Sequence, residues 1–153
     1  MVDLVIRPTV GAGNKIILKD QAGGTVLTTT DSGGVYVESK GTSTCTGTTI
    51  TVDLSTGNFF EVDFEALTGD VGTFTISNTN ANAGMITTFI LKVIQGSTIT
   101  TRNITWGSLT AIKWPGGTTP TVTAGNDKID LFVFSTYDNG TTWYGIIVGQ
   151  DFS

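Results

Sequence analysis

Phe59-Phe60-Glu61-Val62-Asp63-Phe64-Glu65 changes character at every step: Phe60, Val62 and Phe64 fall on one side of an extended chain, and Phe59, Glu61, Asp63 and Glu65 on the other. Successive side chains of a strand point to opposite faces, so this stretch reads as a strand with one buried and one wet side. Thr49 to Leu54 repeats the pattern, with Ile50, Val52 and Leu54 inward. Further along, Lys128 to Ser135 and Thr141 to Val148 flank Tyr137-Asp138-Asn139-Gly140, and an Asn-Gly pair tolerates the positive φ of a type I′ hairpin turn. Strands are also expected at Thr73 to Ser77, Thr87 to Ile94 and Thr98 to Thr105. In Phe89 to Ile94 both faces are apolar apart from Lys92, as for a strand in the middle of a sandwich. No window supports a helix, since Glu65 to Leu67 is stopped by Thr68-Gly69-Asp70.

Composition points the same way. Among 153 residues only 14% are charged, and polar duty falls on about 30 threonines and 20 glycines. Threonine is β-branched and suits a pleated, half-wet surface better than a helix. A single cysteine, Cys45, excludes an intramolecular disulfide. The residues before Phe59 include few aromatics and can bury little alone, whereas two short strand-like pieces, Lys15 to Lys19 and Thr25 to Thr29, surround Gln21-Ala22-Gly23-Gly24. The expected architecture is therefore all-β: an N-terminal arm or hairpin over 1–40, and an antiparallel, jelly-roll-like β-sandwich over 41–153.

Several function classes fall away on composition. A net charge of -5 with eight Lys and Arg supplies no basic stripe for phosphates, so nucleic acid is not an expected partner. Neither a signal peptide nor a membrane span is expected, because apolar runs are only a few residues long and the N-terminus lacks a basic n-region. There is no histidine, which removes Ser-His, Cys-His and His-metal chemistry together.

The remaining candidates each have a plainer explanation. Glu61, Asp63 and Glu65 stand about 6.6 Å apart along one strand face, a spacing compatible with paired-carboxylate hydrolysis, yet any half-exposed strand looks like this. Asn126, Asp127 and Asp130, or Asp138 and Asn139, carry hard oxygens suited to calcium, but their spacing fits turns rather than a calcium loop. Gly11-Ala12-Gly13-Asn14-Lys15 lacks the second glycine and the Lys-Ser/Thr pair of a phosphate loop. No catalytic residue, cofactor or metal is expected. Trp106, Trp114 and Trp143 are candidates for stacking on sugar rings or for an interface, Trp114 foremost because Pro115-Gly116-Gly117 holds it in a loop; the alternative makes Trp106 and Trp143 core anchors and Trp114 an edge cover.

Two stretches carry a resemblance. Gly11 to Thr29 is similar to the opening of small virion proteins of tailed bacteriophages, marine and cyanobacterial phages in particular. Thr87 to Ile94, Ile104-Thr105-Trp106, Ile112 to Thr121, Asp130 to Phe134 and Trp143-Tyr144-Gly145 resemble the C-terminal β-domain of phage fibre and appendage proteins. The resemblance implies a non-enzymatic structural protein of the virion surface. A chain of this length, without a fibre shaft, suggests a capsid decoration or cement protein, with a short fibre or receptor-binding tip as the alternative. It further implies association with the major capsid protein or other virion proteins, homotrimerisation, and for the tip a host-surface glycan. Leu4, Ile6, Ile16 and Leu18 would then be the apolar contacts of a capsid-docking arm.

Overall fold

The computed structural model describes residues 17–19, 21, 25–28, 40–79, 86–98, 100–106 and 112–153. The chain divides into two units, Met1–Val37 and Glu38–Ser153. In the first, β1 (Ile17–Lys19) pairs antiparallel with β2 (Thr25–Thr28), Leu18 standing opposite Leu27. Leu4, Ile6, Ile16 and the Gly11–Lys15 turn lie outside the described residues.

The described residues of the second unit form strands joined by turns, irregular loops and one-turn 3₁₀ helices. β3 (Ser43–Thr46), β4 (Thr49–Asp53) and β6 (Thr73–Ser77) form one sheet, in the order β3-β4-β6. β5 (Phe59–Asp63), β7 (Thr87–Ile94), β9 (Ile129–Thr136), β10 (Trp143–Phe152) and β8 (Ile112–Lys113) form the other, in the order β5-β7-β9-β10-β8. The all-β, sandwich-like class expected from the alternation is the one observed.

Pairing is mixed rather than antiparallel throughout, so the jelly-roll likeness holds only at the level of two sheets. β4 runs parallel to β6, β5 to β7, and β10 to β8. The chain explains it: from β4 to β7 each connection crosses from one sheet to the other, so every second strand returns beside its predecessor in the same direction. Hairpins, which force antiparallel neighbours, occur at β3–β4 and β9–β10.

The alternation of the deciding stretch is realised in full on its buried side. Phe60, Val62 and Phe64 are completely buried, and Ile50, Val52 and Phe74 of the smaller sheet join them in one core. Phe89, Leu91 and Val93 of β7, with Phe132 and Phe134 of β9, complete the inner face of the larger sheet. Phe89 and Phe134 stack at 5.0 Å between centroids, and Trp143 meets Phe89 edge-on at 5.4 Å. Such pairs add about 0.5–1.5 kcal/mol each beyond the area they bury.

Three elements differ from expectation. The polar tract before Thr49 contains β3, whose buried partner strand fixes it by four ladder pairs across the two-residue turn Gly47-Thr48, with φ 62° at Gly47. Glu65 lies in a one-turn 3₁₀ helix, Phe64–Ala66, capped by the Asp63 carboxylate accepting from the Glu65 amide at 2.8 Å. The described residues of Thr98 to Thr105 form no strand, and the bridge found among them joins Ile104 to Val71. Loop partners satisfy its backbone instead: Asn103 O and Thr105 N bond Val71, Thr100 O accepts from Gly125 N, Gln95 Nε2 donates to the Arg102 carbonyl at 2.6 Å, and Asn103 Oδ1 accepts from Ile104 N.

Candidate interaction surface

The three tryptophans weighed as sugar platforms or as core anchors and edge cover are buried. Trp106 and Trp143 are 2% exposed, and Trp114 is 9% exposed. Trp106 lies 5.2 Å from Trp114 and 5.1 Å from Phe132 between ring centroids, and its indole N–H donates to the Pro120 carbonyl at 2.9 Å. Trp114 lies against the Gly145 backbone so closely that a Cβ there would stand 2.6 Å from its ring. Stacking a sugar on any of them requires opening the core.

The acidic side of β5 is tied up in structure. Glu61 accepts from Lys92 Nζ at 2.9 Å and from Lys40 Nζ at 3.2 Å, and the hydrogen bonds from Lys92 and then Lys40 hold its carboxyl below the ordinary carboxylate range. Asp63 caps the 3₁₀ turn. Glu65 accepts from the Thr98 hydroxyl and amide and from Ser97, the Thr98 hydroxyl doing most to keep its pKa low. A hydrolytic pair needs one carboxyl kept protonated near neutrality and free to reach a leaving group; Glu61 and Glu65 are shifted the other way.

The loop carboxylates are likewise structural. Asp130, 1% exposed, accepts from Thr123 N, Gln150 Nε2 and Asp151 N. Asp127 occupies a turn with φ 54°, and no group of three or more metal-ligating side chains occurs among the described residues. Burial, and secondarily the charge of Asp63, pushes the Cys45 thiol above its ordinary pKa, away from the reactive thiolate.

What remains is a surface that the sequence reading did not single out. Every large hydrophobic residue exposed among the described residues, namely Ile86, Tyr137, Tyr144, Ile146, Ile147, Val148 and Phe152, lies on β10, on the turn before it, or at the head of β7. Ladder registers line most of them up on the outer face of the larger sheet. One row runs Phe59, Ile90, Val133, Ile146, and the row beside it Thr88, Ser135, Tyr144. One step beyond the last β7–β9 pair, Thr87 with Thr136, come Ile86 and Tyr137. Phe59, Ile90, Leu131 and Val133 are half-buried on this face, which passes into the Lys40–Glu61–Lys92 cluster at its β5 end.

Tyr137 and Tyr144 form its most ordered feature. Their rings stack at 5.6 Å with 19° between planes, and their hydroxyls share a 2.9 Å hydrogen bond that raises the Tyr137 pKa. Thr88 and Ser135 hydroxyls meet beside them at 2.9 Å. The pair is held by the turn below it. Asn139 and Gly140 take φ 59° and 81°, and Thr141 N donates to the Asp138 carbonyl at 3.2 Å, which makes the type I′ turn read from Asn-Gly. Buried Thr136 donates to Asp138 Oδ1 at 2.8 Å and accepts from Gly140 N at 3.1 Å. Parity along β10 was the signal for the exposed tyrosine, since Trp143 points in and Tyr144 must point out; the stacking on Tyr137 needed the strand pairing. Compared with models of protein families, with curated proteins and with solved structures, the chain matches none.

Proposed function

We propose that this chain is a non-catalytic structural module of a tailed-phage virion that decorates the head, docking on neighbouring virion proteins through the outer face of its five-stranded sheet. The observation that carries this reading is the gathering of exposed Ile86, Tyr137, Tyr144, Ile146 and Phe152 on one side of one sheet. Contiguous exposed apolar surface of this kind, with aromatic anchors at its centre and a charged rim, is the anatomy of a protein–protein contact. The virion station comes from the resemblance of Gly11 to Thr29 and of the separate runs Thr87 to Ile94, Ile104 to Trp106, Ile112 to Thr121, Asp130 to Phe134 and Trp143 to Gly145.

A cement protein works by linkage: it binds the assembled shell and not the dissociated subunits, so occupancy at about 100 times Kd adds roughly 2.7 kcal/mol per site. The test is to strip heads of this protein and add it back. Restored binding with a raised melting temperature supports decoration; heads that melt alike with and without it, and no rebinding, overturn it.

A second reading, a receptor-binding tip, is favoured by the exposed Tyr137–Tyr144 pair, whose rings adjoin the Thr88 and Ser135 hydroxyls as a sugar-stacking platform would. It requires that Tyr144→Ala lose adsorption to host cells while head binding persists. Unchanged adsorption removes it.

A further inference from the structure

The turn between β9 and β10 carries a reactive pair that neither its packing nor the docking face uses. Eight asparagines occur in the chain, and Asn139 is the one followed by glycine. The backbone nitrogen of the next residue can attack an asparagine side chain at Cγ, and a glycine there puts no side chain in the way. Asn139 is exposed at the tip of the hairpin, so water and base reach its amide.

Within the closed turn that attack is blocked twice. The first central residue of a type I′ turn has a ψ of about +30°, which sets the Gly140 nitrogen on the far side of the Asn139 Cα–C bond from Cβ. Closing a five-membered ring needs the two nearly eclipsed. The Gly140 N–H is also occupied, donating to Thr136 Oγ1 at 3.1 Å. That hydroxyl belongs to a residue 1% exposed; it accepts from the Asp138 amide at 3.4 Å and donates to Asp138 Oδ1 at 2.8 Å. Asp138 Oδ1 in turn accepts from Thr142 N at 2.8 Å, so both arms of the turn hang on one buried hydroxyl. A hairpin tip is among the parts of a fold that open at least cost, and its opening therefore governs how often the pair can react.

We propose that Asn139-Gly140 is a deamidation site latched by the Thr136 hydroxyl, silent while the turn is closed and irreversibly spent once it reacts open. On opening, the Gly140 nitrogen bonds to Asn139 Cγ, the Cγ–Nδ2 bond breaks, and ammonia leaves with the proton from the Gly140 nitrogen. Water then opens the succinimide. Attack at the former side-chain carbonyl gives an aspartyl residue, and Asp-Gly can close a type I′ turn again. Attack at the main-chain carbonyl breaks the original peptide bond and gives an isoaspartyl residue, whose backbone is one methylene longer. A two-residue turn does not accommodate that extra atom, so Tyr137 and Tyr144 lose the register that stacks their rings. A reversible fluctuation of the turn becomes a permanent loss of the tyrosine pair, whatever covers the outer face.

Ageing the full chain in mildly alkaline buffer tests this. Ion exchange should resolve a more acidic fraction, and peptide mapping with isoaspartyl methyltransferase labelling should place the change at Asn139. The rate should rise many-fold when the wild type is unfolded in urea, and roughly fivefold in folded Thr136→Val, the weight of one net hydrogen bond. Thr136→Ser, which keeps the hydroxyl, should age like the wild type, and in urea all three should coincide. The isoaspartyl fraction should lack the tyrosine band in near-ultraviolet circular dichroism. No acidic fraction, one that maps to another asparagine, a folded rate equal to that in urea, Thr136→Val no faster than Thr136→Ser, or an isoaspartyl fraction that keeps the band overturns the proposal. Should Thr136→Val fail to fold, the wild-type rates in buffer and urea and the band of the isoaspartyl fraction decide alone.

Discussion

Gly145 is a position where one absent side chain organises the surroundings. It faces inward on β10, and the Trp114 ring occupies the space its Cβ would take, at 2.6–2.9 Å. Gly145→Ala is expected to push Trp114 off its Trp106 and Phe134 contacts and to cost about 1–3 kcal/mol, as overpacking does; thermal unfolding reads it, and an unshifted melting temperature would contradict the placement. The buried indoles make a second expectation. Tryptophan emission of the native protein should be blue-shifted, resistant to acrylamide and unchanged by any sugar, and solvent-like emission would contradict it. Both alternatives for the tryptophans were visible in the sequence, but choosing between them required knowing that Trp114, placed by Pro115 in a loop, turns back onto a glycine thirty-one residues later.

At the scale of elements, the β9–β10 hairpin was legible because its turn depends on local chemistry alone. Gly140→Ala must hold φ near 81° and set its Cβ 3.0 Å from the Thr79 hydroxyl, so it should cost about 1 kcal/mol or more. Loss of the Tyr137–Tyr144 stack should accompany it, visible in near-ultraviolet circular dichroism; an unchanged tyrosine band would argue against this turn as the support of the pair. β7 and β6 were read at their observed limits, Thr87–Ile94 and Thr73–Ser77. β3 was hidden because its exposed hydroxyl-rich residues carry no hydrophobic period, and it is a strand only through its pairing with β4. Thr98 to Thr105 misled for the opposite reason: its composition suits a strand, but its backbone is satisfied by scattered partners, the Gln95, Asp70 and Asn103 side chains and the Val71 and Gly125 backbone, rather than by a neighbouring strand. Parallel pairing was illegible throughout, because alternation reports which face is buried and not which strand lies alongside.

For the molecule as a whole, carboxylates link stability to pH. Asp53, Glu61, Glu65 and Asp138 are all held below the ordinary carboxylate range, by Asn78, by Lys92, by Thr98 and by the Thr142 amide first in each case. The folded chain therefore binds fewer protons than the unfolded one in that range, and the stability these groups contribute is present above it and lost as pH falls through it. The urea midpoint should drop between pH 6 and pH 3; a midpoint that holds or rises would show that these hydrogen bonds do not persist in solution. The same molecule-wide view explains why the interaction surface escaped the sequence. A half-apolar outer face such as Ile90, Ile94, Leu131 and Val133 reads as burial on two sides, and only the assembled sheet shows that one of those sides is left for something else to cover.

The measurement that bears most directly on that surface is co-sedimentation of purified protein with DNA-filled heads and, separately, with isolated tails, comparing wild type with Tyr144→Lys at matched folding. Wild type should pellet with heads and saturate, while Tyr144→Lys, with a charge placed at the centre of the apolar face, should stay in the supernatant. Wild type that pellets with neither particle, or a Tyr144→Lys variant that pellets with heads as well as wild type does, would contradict docking through the outer face of the five-stranded sheet.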